Sequence, residues 1–255
     1  MKNTCTKLLF IIALVMTTIS LFSQTIQDTT KPYKNIIRYD VSGAILFGID
    51  KHIVFGYERV LTPNQSFSIN VGSAALLKAE RGDVTTDSFT FNDDVKNTGF
   101  KINADYRFYL RKENKYNAPH GVFIGAYFSY SQFKRDNQWN YNDANSQGKL
   151  VNTTLKMDIF TMGGEMGYQF ILGKHIAIDF VLIGPGLGFY DINAKVQSDL
   201  TDAEKEQLRG AIKDLITDKF PGLNRILASE DFDSEGTIKT WNFGFRYLIH
   251  IGYFF

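Results

Sequence analysis

Apolar and polar residues alternate along most of the chain after residue 34. In the segment "TGFKINADYRFYL" (98–110), one face is apolar and carries Phe100, Ile102, Ala104, Tyr106 and Phe108. The intervening positions carry Lys101, Asn103, Asp105 and Arg107. Side chains that alternate with a period of two indicate a β-strand with two different faces. The pattern therefore predicts a strand here with one bulky apolar side.

The same alternation recurs in seven further segments. They are 35–47, 52–61, 66–74, 121–133, 155–170, 176–191 and the C-terminal segment that begins at Trp241. Several predicted strands have ten residues or more, which exceeds the ~5–6 residues usual in soluble sheets. The pattern predicts eight antiparallel strands and an all-β fold.

The predicted connections differ in length. Those after strands two, four and six are short, whereas polar stretches follow strand three (78–97), strand five (134–152) and strand seven (192–236). Only the first hairpin, "GIDK", departs from this order by being short. Short turns at one rim and long loops at the other are typical of an outer-membrane barrel, with the long loops outside the cell.

Period two alone leaves two orientations open, because a soluble barrel would turn its bulky face inward and a membrane barrel would turn it toward lipid. Volume decides between them. Eight strands enclose an interior that only modest side chains can fill, and four or five large apolar residues per strand would overfill it. We therefore expect residues 35–255 to form an eight-stranded antiparallel transmembrane β-barrel, whose closure satisfies every backbone group in lipid.

The last strand carries a recurring polar–x–Gly–x–x–aromatic pattern, in "NFGFRY" (242–247) and in "HIGYFF" (250–255). In this respect the chain resembles the bacterial outer-membrane β-barrel superfamily. The resemblance implies that the barrel-assembly machinery recognises Gly244, Tyr247, Gly252 and Phe255. The stretches "FSQ", "GYERVLTPNQSFSINVG" and "DYRFYL" also resemble uncharacterised outer-membrane barrels of Bacteroidota, a group that carries no established chemistry.

The N-terminus is typical of a secreted protein. Lys2 and Lys7 flank the short apolar run "LLFIIALVM", and "FSQ" follows. We expect residues 1–24 to be a signal peptide and 25–34 a short periplasmic segment. A membrane anchor is the alternative, but the run is shorter than the ~20 residues that a spanning helix needs. Cys5 precedes the run, so lipidation is not expected and the mature chain would hold no cysteine.

The charge balance argues against nucleic acid. The whole chain has 28 basic and 27 acidic residues, and such a balance offers no basic surface for phosphates. We expect the protein to lie in the outer membrane, in contact with its lipid.

Strand parity places a set of ionisable residues inside the predicted barrel: Asp40, Glu58, Asp105, Arg107, Glu165, Asp179, Arg246 and His250. We expect Glu58, Asp105, Arg107, Glu165 and Arg246 to pair with one another and to fill the lumen, because unpaired buried charge is costly. The alternative interpretation is a path for protons or ions.

No motif predicts catalysis, a cofactor or a metal. A membrane-embedded hydrolase would need Ser, His and an acid near the outer rim, and of the four histidines only His52 begins near that rim. "NYNDANSQG" departs from calcium-loop spacing, and "GPGLG" lies inside a predicted strand instead of opening a helix.

The long loop 192–236 contains a predicted helix, 201–220. Thr201 and Glu204 have capping-box spacing, and an apolar stripe recurs at helical spacing through Leu208, Ile212, Leu215 and Phe220. The stripe must be buried, because an uncovered one is unusual. It either covers the barrel mouth or docks an extracellular or surface protein partner.

Together these observations favour a non-enzymatic outer-membrane barrel that acts in surface structure or partner recognition through its extracellular loops. A narrow pore for ions or small solutes is the first alternative, and a membrane-embedded lipid-active enzyme is the second.

Overall fold

The computed structural model describes residues 33–79, 82–86, 88–143, 146–197, 200–219, 223–227 and 230–255. The predicted signal peptide and nearly all of segment 25–34 lie outside the described residues, as does Phe220.

Eight antiparallel strands form a closed ring in sequence order, in which each strand pairs with the next and the last pairs with the first. The strands are β1 Asn35–Asp40, β2 His52–Thr62, β3 Gln65–Ala74, β4 Phe89–Tyr109, β5 Gly121–Asp143, β6 Ser146–Leu172, β7 Ile176–Gln197 and β8 Thr237–Phe254. The prediction of an all-β fold with eight antiparallel strands is confirmed.

The described residues contain three helices, whereas the sequence pattern predicted one. They are α1 Val41–Phe47, α2 Asp202–Lys219 and α3 Leu223–Leu227. The predicted helix 201–220 corresponds to α2. Its capping box is formed reciprocally, because the Thr201 N–H donates to the Glu204 carboxylate at 2.7 Å and the Glu204 N–H donates to the Thr201 hydroxyl oxygen at 3.4 Å. None of the three combines the length and apolar character that crossing a bilayer requires.

Helix α1 corrects the prediction that the first strand runs from 35 to 47. The Asp40 carboxylate accepts from the Gly43 N–H at 3.1 Å and from the Ser42 hydroxyl at 2.7 Å, which caps a helix and ends β1. Ile45 and Leu46 would point to opposite faces of a strand, but in the helix both are exposed. The alternation that includes Tyr39 and Val41 therefore predicted a strand for 41–47, where the structure has a helix.

Strands β4 to β7 are much longer than predicted. β5 has 23 residues and β6 has 27, against 6 in β1 and 11 in β2. They include most of 134–152, which was predicted to be a loop. The prediction failed because the apolar side changes along the strand: Trp139 and Val151 are apolar and face inward there, while most outward residues are polar and Leu150 is an exception. The paired strands thus project beyond the short strands as an extension.

The outer surface below the extension is apolar. We call it the apolar belt, and each strand contributes exposed residues such as Ile37, Phe55, Phe67, Phe100, Ile124, Met162, Leu187 and Phe243.

The belt ends at one row that crosses three strands. Phe160 pairs in register with Phe189, which pairs with Trp241 at a ring-centroid distance of 5.0 Å. The next outward row toward the extension is charged: Asp158, Asp191 and Lys239. Lys239 Nζ lies 3.5 Å from Asp191 Oδ2.

The largest apolar core lies inside the extension. Inward residues of the long strands, including Phe91, Trp139, Leu155 and Ile192, are buried against α2. The interior above the belt is therefore apolar. Within the belt it holds the charged side chains together with two small apolar clusters, one of Tyr109, Phe123, Val181 and Leu248 and one of Ile36, Ala177 and Phe254.

Candidate functional site

The interior within the belt is filled by charged side chains, which we call the plug. Its carboxylates are Asp40, Glu58, Asp105, Glu165 and Asp179, and its cations are Arg38, Lys101, Arg107 and Arg246. They come from all strands except β3 and β5. On β3, the Ser66 and Ser68 hydroxyls donate to Glu58 and Asp105 at 2.7 Å each.

Arg107 of β4 lies at the centre of the plug and its side chain is fully buried. Its Nη1 donates to Asp179 at 3.0 Å and its Nε to Glu165 at 3.2 Å. Its guanidinium carbon lies 4.2 Å from the ring centre of Phe123, which adds a cation–π contact. The buried guanidinium thus bonds to carboxylates on two other strands.

Arg246 of β8 connects the remaining predicted members. Its guanidinium donates to Asp105 and to Glu165, and it lies 3.7 Å from the ring centre of Tyr127. Glu58 lies 3.9 Å from Arg107. The structure therefore brings Glu58, Asp105, Arg107, Glu165 and Arg246 into one network.

Arg38 is a plug residue that the sequence analysis missed. Its guanidinium donates to Asp105 at 3.0 Å and to Asp179 at 3.1 Å, and its Nε donates to Asn70 at 2.9 Å. It has the same strand parity as Asp40, which was assigned to the lumen, so parity could have identified it.

The two interior histidines each contact a carboxylate that has another structural role. His250 Nδ1 lies 3.0 Å from Asp179, which also binds Arg107, and His52 Nε2 lies 3.0 Å from Asp40, which caps α1. In the part of the chain that the structure describes, no group of three or more His, Cys, Asp or Glu is placed to hold a metal ion.

The four residues of the terminal pattern lie on both faces of β8. Tyr247 and Phe255 are exposed on the outer face. Gly244 and Gly252 point inward, where an added Cβ at Gly252 would come within 2.7 Å of Ile36 and of the Ile37 carbonyl. Gly252 thus allows β1 and β8 to close the ring.

The apolar stripe of α2 is occupied by its own chain. Leu208, Ile212 and Leu215 are fully buried in the extension core. The long strands cover these three residues in the structure, which favours the alternative in which the stripe packs on its own barrel. The fourth predicted member, Phe220, lies outside the described residues.

A cavity of about 600 Å³ lies between the plug and α3. Its wall includes Lys101, Ser129, Ser131, Thr161 and Tyr190 from the strands, and Leu223 and Arg225 from α3. Sequence reasoning did not reveal this cavity.

Comparison with known proteins gives a family but no function. No curated protein and no solved structure matches the chain. The family described as "Protein of unknown function (DUF3575)" matches residues 50–209, which include β2 to β7 and the start of α2. Since the match covers more than half of the chain, the protein belongs to the DUF3575 family.

Proposed function

We propose that this protein is a non-enzymatic outer-membrane β-barrel whose folded extension stands outside the cell and serves surface structure or partner recognition. The observation that carries the proposal is the boundary on the outer surface. An aromatic row ends the apolar belt at Phe160, Phe189 and Trp241, and a charged row follows directly. Aromatic girdles mark the edges of the lipid-facing band in outer-membrane barrels.

The height of the belt supports the same conclusion. Between Trp241 and Tyr253, ~3.3 Å per residue and ~40° tilt give roughly 30 Å, about the thickness of a bilayer core. Tyr253 stacks on His175 at a centroid distance of 5.0 Å, at the opposite end of the belt from Trp241. Aromatic residues thus stand at both ends of an apolar surface that would be costly to expose to water.

The plug supports a structural role for the barrel wall instead of conduction. Arg38, Glu58 and Arg107 are at most 2% exposed. The Glu58 carboxylate lies 3.3 Å from Arg38 and 3.9 Å from Arg107, so the three side chains meet inside the ring. Since eight strands leave little interior space, these side chains close it.

The extension supports a role at the cell surface. It has a core of its own, so it is a folded body and not a set of mobile loops. Most of its outward residues are polar, for example Gln138, Lys156 and Lys195, although Val95 and Leu150 are also exposed. A rigid polar body above the bilayer is suited to contacts with surface partners.

Three measurements on the full chain test the proposal. Outer-membrane fractionation and heat-modifiable migration in detergent gels should both be positive. An epitope inserted between Asp143 and Ser146, at the tip of the β5–β6 hairpin, should bind antibody on intact cells, whereas one inserted at Lys174, in the β6–β7 turn, should not. Recovery of a soluble periplasmic protein would overturn the proposal.

A further inference from the structure

The barrel wall has a gap beside the last strand. β1 pairs with β8 only from Ile36–Phe254 to Asp40–His250, because Asp40 ends the strand and caps α1. From Trp241 to Ile249, β8 has no strand partner on its β1 side within the described residues. Helix α1 packs against β8 there without extending the ladder.

The cavity described above lies behind this gap. Residues 242–245 of the unpaired edge line one side of it, and Phe47 at the end of α1 lines another. Ser131 and Thr161, on β5 and β6, line it farther inside. The cavity therefore extends from the unpaired edge to the interior strands.

The gap lies within the apolar belt. Phe243 and Phe245 flank it and are 72% and 63% exposed, and they follow Trp241 of the aromatic row on the same strand face. Ile45 and Leu46 of α1 expose further apolar surface on the other side. Open sheet edges are tolerated at membrane depth only where they line a cavity or are covered.

The charges that line the cavity are of one sign. Lys101 and Arg225 are cationic, and no carboxylate is among the described residues of its wall. Lys101 Nζ is 3.9 Å from Asp40 and its side chain is 20% exposed, whereas the side chain of Arg107, another plug cation, is fully buried. The cationic end of Lys101 thus has capacity for another anion.

His52 supplies a further polar group. It lines the cavity and is 1% exposed, and its Nε2 is bonded to Asp40. Its Nδ1 has no hydrogen-bond partner among the described residues. A buried polar atom without a partner is unusual, and here it belongs to a wall that also holds the hydroxyl groups of Ser129 and Tyr190.

We infer that this cavity binds an anionic single-chain amphiphile, a long-chain carboxylate, which enters sideways from the outer half of the bilayer between β8 and α1. The carboxylate contacts Lys101, and the chain lies against Phe47, Phe243 and Phe245. A volume of about 600 Å³ is within the ~300–1,000 Å³ of ligand sites, which suits one acyl chain with its head. The inference rests on the proposed outer-membrane location.

Photocrosslinking tests this inference. The mature protein is placed in phosphatidylcholine nanodiscs and exposed to palmitate that carries a diazirine in its chain. Labelled peptides should map to Phe47 and to residues 242–245, and unlabelled palmitate should compete. Hexadecanol, which has the chain without the charge, and acetate, which has the charge without the chain, should compete at least tenfold less well.

Two variants test the contact to the ligand's carboxylate and the space for its acyl chain separately. Lys101→Ala should reduce the competed labelling about tenfold, because the ligand's carboxylate would lose its charged hydrogen-bond donor. Tenfold corresponds to ~1.4 kcal/mol. Ser131→Trp should abolish the labelling by filling the cavity. Lys156→Ala is the matched control, since Lys156 lies on the outer face beside Asp158, and it should label as the unaltered protein does.

Heat-modifiable migration of each sample distinguishes the two proposals. A protein that does not insert would contradict the outer-membrane location itself. An inserted protein that is labelled all round the belt, without competition, would overturn only the cavity site. Equal competition by hexadecanol, or unchanged labelling in both Lys101→Ala and Ser131→Trp, would also overturn it.

Discussion

The Nη2 of Arg38 lies 3.0 Å from the Oδ2 of Asp105, so that the first strand and the fourth are joined across the interior of the ring. The other terminal nitrogen of Arg38 reaches Asp179 on β7 at 3.1 Å. One guanidinium thus ties three strands that are far apart in sequence. Arg107 bonds to the same Asp179 oxygen at 3.0 Å, so the two arginines share the central carboxylate.

Removing either arginine should destabilise the barrel. Arg38→Ala or Arg107→Ala removes one of the cations that the buried carboxylates share, and breaking a buried ion pair costs ~3–5 kcal/mol. Urea unfolding in micelles measures the change. Arg59→Ala is the control, because Arg59 is exposed on the outer face of β2 and bonds only to Asn35 among the described residues. Its free energy of unfolding should stay within about 0.5 kcal/mol of the unaltered protein. Unchanged unfolding of both plug variants would show that the network does not stabilise the fold.

The two glycines of the terminal pattern should respond differently to alanine. At Gly252 an added Cβ meets Ile36 and the Ile37 carbonyl at 2.7 Å, so Gly252→Ala should cost about 1–3 kcal/mol and reduce the folded fraction. At Gly244 the nearest atom is the Tyr190 hydroxyl at 3.6 Å, and Gly244→Ala should be tolerated. Refolding into detergent without assembly factors, read as heat-modifiable migration, measures both. Equal refolding would mean that ring closure does not require the glycine.

Truncation in the α2 stripe should loosen the extension and leave the belt intact. Leu208→Ala removes a fully buried side chain, at a cost of about 2–5 kcal/mol. Trypsin should then cleave α2 at Lys205, Arg209 or Lys213 much faster, while heat-modifiable migration persists. Gln207→Ala, on the exposed side of the same helix, should leave the cleavage rate unchanged. Loss of insertion in Leu208→Ala would show that the barrel depends on the extension.

The plug should prevent conduction. In planar bilayers the purified protein should give no steady single-channel steps, because Arg38, Glu58 and Arg107 close the interior. Steady steps of one size would favour the narrow pore instead.

Sequence alternation was sufficient to predict a ring of eight strands, but it did not predict how long β4 to β7 are. It identified the belt portions of the eight strands because bulky residues there lie consistently on one face. It failed at 134–152, where the apolar side moves inward around Trp139 and Val151. The apolar face of a long strand points outward in the belt and inward in the extension, so one assignment of the apolar face cannot hold for the whole strand.

Strand parity also predicted that the five residues of the network face inward. The same rule applied to Arg38 would have placed it in the network as well. The cavity could not be predicted in this way. It depends on the end of β1 at Asp40, where a local side-chain cap replaces further strand pairing, and on the register of β8 with β1. This pairing joins residues that are far apart in the sequence, so the pattern within one segment cannot predict it.

The central claim, that lipid surrounds the belt and the extension stands outside the cell, can be tested on one strand. Lys156 and Met162 both face outward on β6 and are both about half-exposed in the isolated chain, at 52% for the Lys156 side chain and 51% for Met162. Cys5 is the only cysteine of the natural chain. Once the predicted signal peptide is removed, each variant would therefore carry the introduced cysteine alone. On intact cells, a membrane-impermeant maleimide should label Lys156→Cys and spare Met162→Cys. Glu113→Cys, in the β4–β5 turn, should be labelled only after the outer membrane is permeabilised. Equal labelling of Lys156→Cys and Met162→Cys on intact cells would contradict the account.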